Sequence, residues 1–490
     1  MNRSVYKERF KTFLIVVLFL LTVLLSYFYW QGTSFSGIKE SVNEHFPSTI
    51  FTDEDAPDIG TFVAPVTVDV NFGNGIYTSC QKNASQLWAD FVDSYIAFTE
   101  MQNLMIEEIS EAQWLETMDM KSIQFVFEYD LPVSFFESLG GSNFGQSDHF
   151  DHVSVMALSE ASTTSLFIKD DTQGTFYRII SDSDYYPLEE KVLEISNTAA
   201  DQYYPVYMLL GTDNYAMAPF STNILLPELA ADKKGLKSVT SSEKDLAKTF
   251  FGENLDFVRR IVDDSGTITY MYGYGKKMLT IYKNGVFEYK ETPSSDDDNK
   301  EFNSAFETAV SFIASHGGWI DLGTNKISSQ LTSAAAVSAP KANIYTFEFT
   351  AEYENSSLYG NSVSAITIEL TGDQVTYYKR SLNTLDQSSL TETYPEYTAN
   401  ALITDILAND HQRLAQILLE NDMITPTDET MDLFDLVVEN ISSINTGYFT
   451  QNAESQVHFI PSWVIDFSGI KVFYNLYTGE HLGYLKEMEQ

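Results

Sequence analysis

The sequence predicts an α+β protein in which a single N-terminal transmembrane helix precedes a multidomain extracytoplasmic region of antiparallel sheets with packed helices. Three observations predict this class. An uncharged, largely apolar run, residues 12–30, lies close to the N-terminus. Beyond it, several segments place apolar residues three and four positions apart, as amphipathic helices do. Other short runs alternate apolar with polar residues and end at turn residues, which is typical of antiparallel strands.

The run 12–30 has the length of a membrane span. At about 1.5 Å per residue, such a helix measures about 28 Å, close to the hydrocarbon thickness of a bilayer. It ends in Tyr27, Tyr29 and Trp30, aromatic residues of the kind that anchor a helix at the headgroup level. Thr22 and Ser26 are small and four residues apart, a spacing that lets a partner helix approach closely.

The charge distribution predicts the topology of this span. The 490 residues carry 69 acidic and 29 basic side chains, a formal net charge of −40. The first eleven residues carry a net positive charge, because they hold one acid and four bases, namely Arg3, Lys7, Arg9 and Lys11. Positive flanks stay in the cytoplasm, so we expect a single-pass protein of the cell membrane with its N-terminus inside and its bulk outside.

A cleaved signal peptide is the alternative interpretation of the N-terminus. Gly32 and Ser34 have the spacing of a cleavage site. The apolar run is, however, longer than the roughly 7–15 residues of a signal-peptide core. A retained anchor is therefore favoured.

Composition also excludes several classes of partner and chemistry. The excess of acid argues against nucleic-acid binding, which depends on Lys and Arg at phosphates, and against docking on anionic lipid surfaces. The lone cysteine, Cys80, excludes an intramolecular disulfide and a multi-cysteine metal site.

Changes in composition along the chain predict its organisation. The expected units are a basic head (1–11), the span (12–30), a tether (31–60), and three α+β domains at 61–237, 238–390 and 391–490.

Within these domains, periodicity predicts particular elements. The predicted helices are 85–99, a short helix opened by the capping box Ser242 to Asp245, 302–315, 402–419 and 430–442. The predicted strands are 62–70, 123–129, 165–168, 176–181, 268–272, 278–282, 286–289, 345–353, 364–370, 375–378, 458–466 and 472–476. A Ser/Ala-rich loop is expected at 328–339 and a polar break at 230–235. Helix followed by paired strands occurs twice near the C-terminus, which suggests a duplicated architecture.

No segment carries the signature of a catalytic, cofactor or metal site. Asp148 to His152 is the densest group of potential metal ligands, but it lacks the spacing of a zinc motif and is more typical of a solvated loop. Asp296 to Asp298 lacks the spacing of a calcium loop. Gly273 to Lys276 lacks the surroundings of a phosphate-binding loop. Nothing near Cys80 indicates a nucleophile. We therefore expect no catalytic residue, no cofactor and no metal.

Several stretches resemble the YycH (WalH) family, accessory membrane proteins of the YycFG (WalKR) two-component system of low-GC Gram-positive bacteria. The stretches that carry the resemblance are Ala64 to Val68, Ile123 to Phe127 with Leu131 and Pro132, Thr249 to Phe251, Val258 to Ile261, Gly266 to Tyr270 and Phe287 to Tyr289. The C-terminal Ile460 to Ile465 and Tyr477 to Glu480 resemble the closing hairpin of YycH and of its partner YycI.

The resemblance implies a non-enzymatic regulator. Its partners would be a sensor histidine kinase of the WalK/YycG type and a YycI-like membrane protein, met chiefly through the transmembrane helix, with cell-wall metabolism genes as the regulated output. Thr22 and Ser26 would be the points of closest helix contact. Two alternatives remain: a cell-wall hydrolase or transferase with an unrecognised carboxylate pair, and an anchored binding or inhibitor module acting through its outer domains alone.

Overall fold

The computed structural model describes residues 62–486, apart from 82, 102, 140–148, 199–200, 222, 233–242, 284–285, 294–300, 317, 320–326, 338–341, 361–364, 382–389, 397–398, 425–431 and 454–455. The predicted head, span and tether lie outside these residues. Among the residues that are described, no helix is both long and apolar enough to cross a bilayer.

Two large sheets organise the described part of the chain. The first contains nine strands in the order β3-β7-β6-β5-β4-β1-β2-β8-β9, with every neighbouring pair antiparallel. Its strands are β1 (Thr67–Asn71), β2 (Tyr77–Cys80), β3 (Met105–Ile109), β4 (Ser122–Pro132), β5 (His152–Ser159), β6 (Ser165–Asp170), β7 (Thr175–Ile180), β8 (Gln202–Pro205) and β9 (Met217–Ser221).

The second sheet contains fifteen strands. Its main path runs β11-β12-β13-β14-β19-β18-β16-β17-β21-β22-β10-β20, with β15 beside β16, β23 beside β22, and β24 beside β23. These strands are β10 (Glu228–Asp232), β11 (Arg259–Val262), β12 (Ile268–Tyr272), β13 (Lys277–Ile281), β14 (Val286–Glu291), β15 (Ile327–Val337), β16 (Ile344–Tyr353), β17 (Ser356–Tyr359), β18 (Ile366–Thr371), β19 (Gln374–Ser381), β20 (Thr391–Thr393), β21 (Ser443–Asn452), β22 (Gln456–Asp466), β23 (Ile470–Asn475) and β24 (His481–Lys486). The pair β17–β21 is parallel, and it joins two antiparallel groups of strands.

Helices cover the faces of these sheets. They are α1 (Ala84–Thr99), α2 (Glu111–Met118), α3 (Val133–Ser138), α4 (Leu188–Thr198), α5 (Val206–Leu210), α6 (Glu243–Phe251), α7 (Phe302–Ser315), α8 (Ile403–Glu420) and α9 (Leu433–Glu439). Helix α7 has the predicted bounds. Its six buried residues are also those of the predicted apolar face: Phe302, Ala305, Phe306, Ala309, Val310 and Ile313.

Two main hydrophobic cores hold the assembly together. The first combines the α1 face of the first sheet with α6, α7 and strands β13, β14, β16, β18 and β19. The second combines α5, α8 and α9 with β10, β21, β22 and β23. A smaller core lies under α2 on the opposite face of the first sheet. Because residues 206–232 contribute to the second core, a segment that precedes residue 237 packs with the C-terminal hundred residues.

Four sequence predictions differ from the structure. The Ser/Ala-rich segment expected to be a loop is strand β15, which pairs along the length of β16 from Ile327 to Val337. The expected polar break begins inside β10, which pairs with β22 and β20. The first strand begins at Thr67 rather than at residue 62. The helix predicted at 430–442 is α9, Leu433–Glu439, and strand β21 follows it.

Candidate functional site

The described residues contain little that is suited to catalysis. No group of three or more His, Cys, Asp or Glu side chains in this part of the chain is arranged to hold a metal ion. His149 is exposed, whereas His152 begins β5, so the helix turn that would align the two histidines is not formed. Asp148 and Asp296 to Asp298 lie outside the described residues.

Asp69 is the carboxyl whose environment most resembles that of a catalytic acid. Burial raises its pKa from 3.8 to about 6, against the opposing effect of hydrogen bonds from Ser79 and Thr67. Ser79 Oγ donates to Asp69 Oδ1 at 2.6 Å. The hydrogen-bond partners of Asp69 are thus hydroxyl groups. A glycosidase instead needs a second carboxyl that faces the first.

Cys80, next to Ser79, is not activated as a nucleophile. Burial, together with the nearby carboxylates of Asp69 and Asp201, raises the pKa of its thiol to about 12. A thiol in that state stays protonated at neutral pH and is therefore a poor nucleophile.

A crevice lies where the first sheet meets β15, β16 and β17. It measures about 390 Å³, including space open to solvent, and Glu352 is the single acid among the described residues that line it. Ser357 Oγ donates to Glu352 Oε1 at 3.2 Å. The crevice therefore lacks the facing pair of carboxyls that the hydrolase alternative predicts.

A more informative feature is a row of aromatic side chains at the β8–β9 end of the first sheet. Ring centroids are 5.4 Å apart for Phe220 and Tyr204, 6.2 Å for Tyr204 and Tyr77, and 5.0 Å for Tyr207 and Tyr215. The hydroxyl groups of Tyr77 and Tyr207 are close enough for each to affect the pKa of the other, which links these pairs of rings. We call these five residues the aromatic row.

Strand pairing and α5 position the aromatic row. Tyr77 lies opposite Tyr203, which places β2 beside β8, and β8 lies beside β9. Phe220 on β9 is 52% exposed and Tyr215 is 48% exposed, so both ends of the row face solvent. Tyr77 at its centre is buried. Single exposed apolar residues are common on proteins, but a connected series of aromatic residues is characteristic of contact surfaces.

An exposed carboxylate accompanies the row. Asp119 follows α2, and the side-chain amide of Asn71 donates to the carbonyls of both Met118 and Asp119 at 3.0 Å. Tyr77 Oη donates to Asp119 Oδ1 at 3.3 Å. Burial, together with Tyr207 and Asp119, raises the pKa of Tyr77 to about 12. No described Lys or Arg forms an ion pair with Asp119.

The surrounding sequence is strongly acidic. Residues 192–232 contain no Lys or Arg, and their acids are Glu194, Asp201, Asp213, Glu228 and Asp232. Aromatic faces attract cations, and a nearby carboxylate adds to that attraction. This surface therefore suits a Lys or Arg side chain of another protein. No sequence motif indicated this surface, although the absence of Lys and Arg from residues 192–232 is visible in the sequence.

The sequence-predicted contact residues cannot be compared with this surface. Thr22, Ser26, the aromatic anchor and the basic head all lie outside the described residues. Gly273 to Lys276, considered as a phosphate loop, forms the turn between β12 and β13, with Tyr274 fully exposed at its tip.

Comparison with known proteins bears on the fold. No protein-family model matches the sequence, and no curated protein does. The crystal structure of YycH from Bacillus subtilis matches with a TM-score of 0.52 and 12% identity, covering 85% of this chain and 97% of that one.

The chain has the YycH fold. The resemblance inferred from the sequence is thereby confirmed at the level of the fold. The YycH fold comprises mixed α and β structure with large antiparallel sheets and packed helices, as the sequence predicted. The C-terminal domain of Bacillus megaterium YpeB also matches, at 10% identity over 51% of this chain and 98% of that one, but its TM-score is 0.27.

Proposed function

We propose that this protein is a non-enzymatic, membrane-anchored regulator of a sensor histidine kinase of the WalK/YycG type. The observation that carries the proposal is the YycH fold, which extends over 97% of the YycH chain. The sequence motifs quoted above support it independently. The regulated output would be transcription of cell-wall metabolism genes.

The proposed topology places residues 1–11 in the cytoplasm, 12–30 in the membrane and the remainder outside. The charge asymmetry supports it, because basic residues dominate before the span and acidic residues after it. The three-domain division of the outer region, with boundaries near 237 and 390, is part of the same proposal.

The proposed mechanism is helix contact. A helix beside the kinase shifts the equilibrium between two kinase conformations only if it binds them with different affinity. Small residues at Thr22 and Ser26 permit the close packing that makes such a difference possible. A YycI-like membrane protein would bind alongside. The aromatic row would contribute a second contact in the outer region, receiving a basic side chain of that partner.

A helix exchange tests the proposal. The span 12–30 is replaced by an unrelated transmembrane helix, and transcription from a kinase-dependent promoter is measured. We expect the exchange to change transcription as much as deletion of the gene does. Normal transcription after the exchange would rule out helix contact.

Point variants sharpen that experiment. Replacing Thr22 and Ser26 together by isoleucine removes the small surface while keeping the helix apolar. The matched control replaces Leu21 and Leu25 by isoleucine as well, because these two residues have the same spacing on a neighbouring face of the helix. We expect only the first pair to alter transcription.

The outer contact is tested separately. Replacing Tyr215 and Asp119 together by alanine removes one ring and the carboxylate. Removing residues that anchor an interface costs about 1–2 kcal/mol each, so recovery of the YycI-like partner should fall by ten-fold or more. Leu193→Ala, an exposed apolar residue on α4, serves as the control.

A further inference from the structure

Strand β11 is an exposed sheet edge. It is the terminal strand of the second sheet, and among the described residues no other strand pairs with its outer side. All four of its residues are exposed, including Ile261 at 37% and Val262 at 50%. An unpaired sheet edge presents backbone N–H and C=O groups with which another strand can pair.

The backbone geometry identifies which groups face outward. Asp263 N donates to Thr267 O at 3.0 Å, so the polar groups of Asp263 are directed towards β12. Hydrogen-bonding direction alternates along an antiparallel strand. Arg260 and Val262 therefore present their N–H and C=O groups at the free edge, whereas Ile261 does not.

The side chains on one face of this edge are self-complementary. Arg259 and Ile261 lie on one face of β11. Asp263 directly follows the strand and continues this alternation, because its N–H bonds to Thr267 O in the same register, while its Oδ1 accepts from Ser265 N and Thr267 N. A two-fold axis perpendicular to the sheet preserves faces, so an antiparallel pair of identical strands must place residues of equal parity opposite each other. With the axis at Ile261, Arg259 lies opposite the partner's Asp263. The two-fold symmetry repeats this contact, so two such charge pairs form.

We propose that a second copy of this chain pairs its β11 antiparallel with this edge, centred on Ile261. Arg260 and Val262 exchange backbone hydrogen bonds with the partner's Val262 and Arg260, and the two sheets become continuous. The symmetric arrangement is an isologous interface, in which one patch contacts its own copy.

The ion pairs already present favour the Ile261 centre. A centre at Val262 would instead pair Arg260 with the partner's Asp264. Arg260 is engaged, because its Nε lies 2.8 Å from Glu243 Oε1 and Glu243 also accepts from Tyr270. Arg259 makes no ion pair with any described residue. Its charge is available to the partner's Asp263.

The contact between two β11 strands is small in comparison with the interfaces of stable dimers, which bury about 1,200 Å² or more. Anchoring both copies in one membrane raises their effective concentration and compensates for weak intrinsic affinity. The inference goes beyond the proposed kinase regulation and rests only on the membrane anchor of that proposal, because the complementarity resides in β11 and the adjoining Asp263.

Cysteine crosslinking of the full chain in membranes tests the register. In a Cys80→Ser background, Ile261→Cys places the two thiols directly opposite across the axis. Val262→Cys on the same strand and Thr269→Cys on β12 are matched controls. In the proposed register, neither of these residues lies opposite the same residue of the partner chain. We expect covalent dimer from Ile261→Cys at ten-fold or more above both controls. Equal yields at the three positions would overturn the proposal.

A charge exchange provides the second measurement. Arg259→Asp places like charges opposite each other and should reduce the Ile261→Cys dimer at least five-fold. Adding Asp263→Arg restores opposite charges and should restore the dimer. Asp263 also accepts from Ser265 N and Thr267 N in the adjoining turn, so circular dichroism of each variant verifies folding. A dimer yield unchanged by Arg259→Asp would contradict the proposed pairing.

Discussion

The side-chain amide of Gln81 hydrogen-bonds to both backbone polar groups of Thr446. Thr446 N donates to Gln81 Oε1 at 2.8 Å, Thr446 Oγ1 donates to the same oxygen at 2.7 Å, and Gln81 Nε2 donates to Thr446 O. Gln81 directly follows β2, whereas Thr446 lies on β21. One side chain thus connects the first sheet to the C-terminal part of the second.

Gln81→Ala should destabilise this connection. It leaves polar groups of buried Thr446 without their partner, which costs about 1–3 kcal/mol. We expect the free energy of unfolding in urea to fall by that amount. Gln86→Ala is the control, since exposed Gln86 donates to Asp90 within α1 and its loss should change stability by less than about 0.5 kcal/mol. Equal effects of the two substitutions would show that the Gln81 contact does not stabilise the fold.

A buried ion pair closes the turn between β22 and β23. Lys471 Nζ lies 3.1 Å from Asp466 Oδ2, and their side chains are 7% and 13% exposed. Lys471→Met leaves an uncompensated buried charge on Asp466, so we expect a loss of about 3–5 kcal/mol in the free energy of unfolding. Replacing Asp466 by leucine as well should recover much of that loss.

The surface pair of Lys169 and Asp171 is the matched control. Its atoms are closer, at 2.7 Å, but the side chains are 32% and 50% exposed. Solvent screens such a pair, and Lys169→Met should cost less than about 1 kcal/mol. A larger loss at Lys169 than at Lys471 would contradict the assignment of the stabilisation to burial.

Asp69 predicts a specific dependence of stability on pH. Its pKa rises from 3.8 to about 6 on folding, so the folded state binds the proton more tightly than the unfolded state. Its contribution to stability is therefore present at low pH and is lost as pH rises through about 6. Asp69→Asn keeps the hydrogen bonding of the neutral acid and removes the titration.

The measurement is the difference in unfolding free energy between Asp69→Asn and the native chain across this pH range. We expect the free energy of unfolding of the variant to increase relative to that of the native protein as pH rises, by at most about 1.4 kcal/mol per pH unit. Comparing the two proteins cancels the other titrating groups. A difference that stays constant with pH would show that the Asp69 pKa is not raised.

Elements with strong periodicity were predictable from the sequence. Helix α7 has the predicted bounds because Phe302, Phe306 and Ile313 recur at helical spacing between a polar segment and a glycine pair. Strands β13 and β14 correspond to the predicted strands 278–282 and 286–289, which alternate apolar with polar residues. The YycH fold itself was recognisable from short hydrophobic motifs, because these form the sheet and core positions.

Other parts depend on contacts that no local pattern encodes. Strand β15 consists largely of Ser and Ala, which have weak strand preference, and its pairing with β16 overrides that preference. Strand β10 likewise forms because β22 and β20 lie beside it. The aromatic row requires β2, β8 and β9 to meet, and Tyr77 is distant in sequence from Tyr204 and Phe220. From the sequence alone, aromatic residues that alternate along strands are interpreted as core or sheet-surface residues.

Co-purification from detergent tests the central claim most directly. The tagged full chain is solubilised from its native membrane and the bound histidine kinase is measured by mass spectrometry, beside a version in which residues 12–30 are an unrelated helix. The account predicts that a WalK/YycG-type kinase is recovered with the native chain and falls at least ten-fold with the exchanged helix. Recovery of no kinase with the native chain, or of equal amounts with both, would contradict it.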